Sequence, residues 1–176
     1  MLSVIKDHDK LIRVNCVEAD DKFLSAALTA RELLRWASMH EQALVIEEDL
    51  IFIDGYEDIW HEAKYSVPDD WEMIFFGANL TEKAERIDKY WVKLNGCWMG
   101  HCFAVNSKSA KKILAYMEDN ELMGDVVFNQ MQQKGLINAY LITPMIAYQR
   151  PGYSNLVEKV VDYKQAMEYN FKRFVK

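Results

Sequence analysis

Apolar and polar positions follow two rhythms along this chain. Residues 11–17 (LIRVNCV) alternate with a period of two, placing Ile12, Val14 and Cys16 on one face. That predicts a short strand. Asp20 or Asp21 can then cap a helix running to about residue 39. Leu24, Leu28, Leu34 and Trp36 are expected on its buried side. Residues 43–53 (ALVIEEDLIFI) are two apolar runs flanking three consecutive acids, and each run reads as a buried strand. After Gly55, the residues Tyr56, Ile59, Trp60 and Ala63 recur at helical spacing.

Pro68, Asp69 and Asp70 predict a turn, and residues 71–76 a strand ending at Gly77. Residues 78–95 are polar and irregular, with room for a helical turn over 81–87. Residues 96–105 read as one strand. Ser107 is a good N-cap for a helix over 108–117. Gly124 and Asp125 open another helix, which ends near Gly135. Residues 137–142 and 145–149 read as strands stopped by Pro144 and Pro151. Residues 156–174 show a loose helical period. Strands alternating with helices predict an α/β fold, a mostly parallel mixed sheet flanked by helices. We find no repeat or linker, so residues 1–176 read as one domain with a helical tail from about residue 156. Ligands in such sheets bind outside the carboxyl ends of the strands, and the acid cluster falls near one.

Composition narrows the function classes. A net charge of −6 disfavours nucleic acid, which selects excess Lys and Arg. No apolar run approaches the ~20 residues of a membrane span, and the first residues lack a signal-peptide core. Three cysteines are too few and odd in number for a disulfide framework, so a reducing, cytoplasmic setting is expected. On one continuous strand Cys97 and His101 would share a face and Cys102 the other, with no fourth zinc ligand nearby.

The chemistry concentrates at Glu47, Glu48 and Asp49. Three carboxylates between apolar runs are costly to bury without protons, cations or a metal. In extended geometry Glu47 and Asp49 face one way and Glu48 the other. Such an acid-x-acid pair can hold one hard cation, Mn²⁺ or Mg²⁺, against a ligand's phosphates. The cation would stabilise charge growing on a departing diphosphate. A solvated acidic turn is the plain alternative.

These segments resemble glycosyltransferase family 25, the lipopolysaccharide-biosynthesis group. LVIEEDLIFIDGY (44–56) resembles the family's strand and acid triplet. VPDDWEMIFFG (67–77) resembles its Pro-x-Asp-Trp strand. GHCFAVNSKSAKKIL (100–114) resembles its Gly-x-His block. PMIAYQRPGYSNL (144–156) resembles its closing segment. The resemblance covers roughly residues 10–156 and implies a GT-A fold, a nucleotide-sugar donor, and Mn²⁺ or Mg²⁺. It implies Glu47 and Asp49 as metal ligands and Glu48 as an assisting group. It also implies Asp125 as a base or acceptor-binding group, and His101 and Gln149 at the cleft. Galactose is the sugar it suggests. The family's opening strand and helix have no counterpart after MLSVI, and its Ser-His pair appears as Thr29-Ala30. The chain thus reads as a short, N-terminally truncated relative. A non-catalytic binding module and a metal-dependent phosphoesterase are the alternatives.

Other residues read two ways. Asp125 also suits a helix cap, His101 a core histidine, and Gln149 a buried amide serving loop backbone. Asn79, beyond the strand end at Gly77, is a candidate for ligand contact. Trp98 is expected in the core, while Trp91 and Tyr90 could line a sugar site. The tail carries Lys164, Lys172, Arg173 and Lys176 among aromatics. It is expected to pack on the domain or on a second subunit of a homodimer. A peripheral position at a membrane, beside a lipid-linked saccharide acceptor, is the other option.

Overall fold

The computed structural model describes residues 12–98, 100–120 and 122–176. Residue 11, and with it the start of the first expected strand, lies outside them. Residues 12–19 form no strand. They run along helix α1 (Lys22–Ser38) instead, where Val17 N–H donates to Thr29 Oγ1 and Ser25 Oγ to Val17 O. Side-chain oxygens have taken the bonds that a sheet would offer. Asp21 caps α1 by accepting from Leu24 N–H. The helix buries Ala27, Leu34 and Ala37, whereas Leu24 and Trp36 are exposed.

The central sheet has six strands in the order β1-β8-β3-β9-β6-β5. These are β1 (Gln42–Ile46), β3 (Met73–Phe75), β5 (Glu85–Arg86), β6 (Trp91–Leu94), β8 (Cys102–Asn106) and β9 (Ala139–Ile142). The class is α/β with a mixed sheet flanked by helices, but the sheet is not mostly parallel. Only β3 and β9 pair in parallel; the other adjacent pairs are antiparallel. Residues 78–95 hold no helical turn over 81–87. They form β4 (Asn79–Leu80), β5 and β6, and Trp91 is wholly buried with its indole N–H on Ala63 O. The expected strand over 96–105 is two strands. β7 (Cys97–Trp98) pairs with β4, and β8 belongs to the main sheet.

Both faces of the sheet are covered. Met73, Phe75, Phe103, Val105 and Leu141 face α1, α3 (Ser107–Glu118), α4 (Gly124–Gln133) and α5 (Lys164–Phe174). Ile74, Phe76, Ala104 and Ile142 face α2 (Tyr56–Ala63) and the short pair β2 (Leu50–Phe52) and β10 (Ala147–Gln149). This is why the strand around MIFF is apolar at every position. Asn106, not Ser107, caps α3 by accepting from Ser109 N–H. The tail is not helical from residue 156. A hairpin of β11 (Gly152–Ser154) and β12 (Lys159–Val161) precedes α5. Among the described residues no helix is long and apolar enough to cross a membrane.

Candidate functional site

Strand direction places the site. β1 and β3 both run antiparallel to β8, and β9 runs parallel to β3, so β1, β3 and β9 end on one edge of the sheet. The acids follow β1 at that edge, as the sequence predicts. They sit on a tight turn rather than an extended strand: Leu50 N–H donates to Glu47 O at 3.2 Å. Glu47 N–H donates to His101 O at 2.9 Å, and Arg150 N–H to Asp49 O at 2.7 Å. Backbone bonds from β8 and from the end of β10 therefore fix both ends of the turn.

The side chains converge. The Gln149 amide donates to Glu47 Oε2 at 3.1 Å and to Asp49 Oδ2 at 3.3 Å. The two carboxylates thus lie no farther apart than those two bonds together allow. The second oxygen of Asp49, Oδ1, is buried without a hydrogen-bond partner. Glu47 is open to water on one side yet crowded by protein on the others. This desolvation, then the charges of Asp49 and Asp125, push its pKa up to about 7 against the opposing Gln149 bond. Burial also raises the pKa of Asp125, although Val126 N–H donates to its Oδ1. Asp125 stands in the first turn of α4, near enough for its charge to act on Glu47. The first turn of α4 abuts α1, where a Cβ on Gly124 would meet Ala30 Cβ at 2.9 Å. Below it Phe128 packs on Phe75 and Phe103, with ring centroids 6.4 and 5.2 Å apart.

His101 is 0% exposed, and its Nε2 lies 3.3 Å from Ala147 O while Nδ1 has no partner. Burial lowers its pKa, so the ring is neutral at pH 7. Its backbone carbonyl holds Glu47, and its ring faces β10 two residues before Gln149. The side chain supports the acid turn from behind. Gly77 belongs to the same junction: a Cβ there would sit 1.9 Å from Ala147 O. Asn79 is not drawn into the cluster, since its Oδ1 accepts from Asn170 Nδ2 of α5 at 2.8 Å. Glu48 is exposed at the tip of the turn. Nothing in the local pattern singles out Arg150, whose N–H closes the turn. Its role depends on the register of β10 against β2.

The cysteines do not gather around His101. Cys97 packs in the core shared with α1, α3, α4 and α5 and Cys102 in the core shared with α2, both as buried thiols whose pKa is raised by burial. Among the described residues no three His, Cys, Asp or Glu side chains are grouped to enclose a metal ion. The donor set at the acid turn is two hard carboxylates with one orphaned buried oxygen. That set fits Mg²⁺ or Mn²⁺ held partly by protein and partly by water and ligand phosphates, the usual arrangement for Mg²⁺. It does not fit zinc enclosed by the protein.

No model of a known protein family matches the chain, and no curated protein sequence matches it. The resemblance described above therefore rests on the residues quoted for it.

Proposed function

We propose that this protein is a metal-assisted glycosyltransferase, moving a sugar from a nucleotide-diphosphate donor to a hydroxyl of a carbohydrate acceptor. The carrying observation is the pairing of Glu47 and Asp49 on one amide at the carboxyl edge of the sheet, with Asp49 Oδ1 buried and unpartnered. Glu47 and Asp49 are the residues that would hold the cation. Once bound, it supplies a Lewis acid for the departing diphosphate. Gln149 keeps the two carboxylates in register before any ligand arrives, which limits the reorganisation needed on binding.

Asp125 approaches from α4 with a raised pKa, which suits a general base for the attacking hydroxyl. In that role it accepts the hydroxyl proton as the oxygen bonds to the anomeric carbon and the nucleotide diphosphate leaves. His101 positions the acid turn through its carbonyl and its ring. A lipid-linked saccharide as acceptor and a GT-A topology belong to the same reading.

The test is thermal unfolding against a panel of nucleotide sugars, with and without Mn²⁺, because a ligand that binds the native state raises its melting temperature. The expected result is an increase that needs both Mn²⁺ and one nucleotide sugar, and that disappears in the double variant Glu47→Gln, Asp49→Asn. A cooperative unfolding curve that no combination shifts would sink the proposal in favour of a non-catalytic module.

A further inference from the structure

A primary amide has two unlike ends, an NH₂ group that only donates and a carbonyl oxygen that only accepts. At the acid turn the donor end of Gln149 is fully used: Nε2 donates to Glu47 Oε2 at 3.1 Å and to Asp49 Oδ2 at 3.3 Å. Its Oε1 takes no bond from a protein group among the described residues. Of its polar contacts, then, only the two carboxylates favour this orientation of the amide. The terminal torsion of Gln joins an sp³ to an sp² carbon and turns easily.

The base of the side chain has no such freedom. Gln149 pairs with Leu50 in the β10–β2 ladder, and Arg150 N–H donates to Asp49 O at 2.7 Å, one step along the same register. Strand pairing therefore keeps Gln149 beside the turn whether or not its amide bonds hold.

A divalent cation between Glu47 and Asp49 reverses the preference of the amide. It takes the lone pairs that the two N–H groups use, and its charge repels their hydrogens. It also gives Asp49 Oδ1, buried without a donor, a positive partner. In this half-buried spot an NH₂ group left without acceptors is costly. Half a turn of the amide removes that cost and brings Oε1 round to the cation. Carbonyl oxygens suit Mg²⁺ and Mn²⁺. Among the described residues no third His, Cys, Asp or Glu completes the site, so Gln149 is the side chain placed to add a third hard oxygen. Being neutral, it leaves the charge of two carboxylates balanced by that of the cation, with no excess to repel an anionic ligand.

We propose that Gln149 is a reversible ligand of the acid-turn cation: its NH₂ holds Glu47 and Asp49 together in the metal-free protein, and its Oε1 joins them on Mg²⁺ or Mn²⁺. The inference rests on the metal reading of the acid turn given above and on no particular sugar chemistry.

The first experiment is Mn²⁺ binding by the full chain, read from the electron paramagnetic resonance signal of the free ion, for wild type, Gln149→Glu and Gln149→Met. Glutamate keeps a hard oxygen but cannot donate; methionine keeps the length but offers only a soft sulfur. Ligation predicts that Gln149→Glu binds Mn²⁺ at least as tightly as wild type, and Gln149→Met about tenfold or more weakly. A clamp acting only through NH₂ predicts the other order, with Gln149→Glu the weakest because it repels Glu47 and Asp49. That order, or equal affinity of Gln149→Met and wild type, overturns the inference. The second experiment needs no variant: Mg²⁺ is titrated into wild type while the Gln149 side-chain resonances are followed. The NH₂ protons are expected to move upfield as they leave the carboxylates, and the side-chain carbonyl carbon downfield as its oxygen meets the cation. A wild type that binds Mn²⁺ but keeps these resonances unmoved at saturating Mg²⁺ loses the inference alone. A folded wild type that binds neither ion loses the metal reading with it.

Discussion

At Glu47 two demands meet in one carboxyl group. The fold crowds it with protein, sets it next to Asp49 and leaves it within reach of the charge of Asp125, so ionising it costs more in the folded protein than in the unfolded chain. Its pKa rises from the ordinary 4.5 to about 7. The folded state therefore holds the proton more tightly. Between those two values it carries more bound protons than the unfolded state, and stability falls as pH rises through that window. Above about pH 7 the loss is complete and constant. Glu47→Gln removes the charge and with it this slope. Because Glu47 is accessible to water, the shift is discounted for screening, and the variant is expected to be more stable than wild type by roughly 1 kcal/mol or less at pH 8. At pH 5 the two should nearly coincide. Urea unfolding at both pH values checks this. A variant less stable than wild type at pH 8 would mean that Glu47 is compensated by a cation in the free protein.

At the scale of elements, the acid turn is made by four segments distant in sequence: β1, the start of β8, the end of β3 and the end of β10. The sequence made part of this legible. The apolar runs around the acids and around MIFF announce strands, and the helical spacings of α2, α3 and α4 announce helices. Asp21 as a cap and Gln149 near the acids could also be read in advance. Strand direction could not, because local pattern is the same for a buried strand whichever way its neighbour runs. The break between β7 and β8 was hidden for a similar reason: Gly100 and His101 sit between two apolar stretches that look continuous. The junction of β3 with β10 was invisible too, yet it gives a sharp test. Phe76 O accepts from Ile146 N–H and Ala147 N–H, and Gly77 leaves no space for a side chain. In Gly77→Ala the new Cβ meets a backbone carbonyl that cannot rotate away. The expected loss is about 3 kcal/mol, with the Gln149 amide displaced from the acids. Gly100→Ala is the control, since its Cβ would find ordinary contacts at 3.7 and 3.8 Å, and a change within about 0.5 kcal/mol is expected there. Denaturant unfolding gives both numbers, and the Gln149 side-chain amide resonances report the displacement.

For the molecule as a whole, the C-terminal helix decides whether the tail is an accessory or part of the fold. Its basic and aromatic residues suit a helix lying on a membrane surface, and its surface does expose Tyr169. The contacts argue for integration. Met167 is wholly buried in the larger core, Asn170 holds Asn79, and Arg86 lies over the Phe171 ring. The end of α5 also covers the outermost strand region of the sheet: Ala84 N–H donates to Phe174 O, and Ala84 bridges Val175 in parallel. An uncovered sheet edge invites pairing with other chains, so this cover protects the molecule as well as stabilising it. Met167→Ala opens a cavity against β4 and is expected to cost about 2–5 kcal/mol, the range for truncating a buried side chain. Tyr169→Ala, on the exposed side, should stay within about 0.5 kcal/mol. The two are compared by urea unfolding of the full chain in the absence of lipid. If α5 were instead a surface helix only loosely attached, both substitutions would leave the unfolding midpoint nearly unchanged. The ordering Met167 far above Tyr169 is what an integral α5 requires, because only one of the two side chains is removed from water on folding.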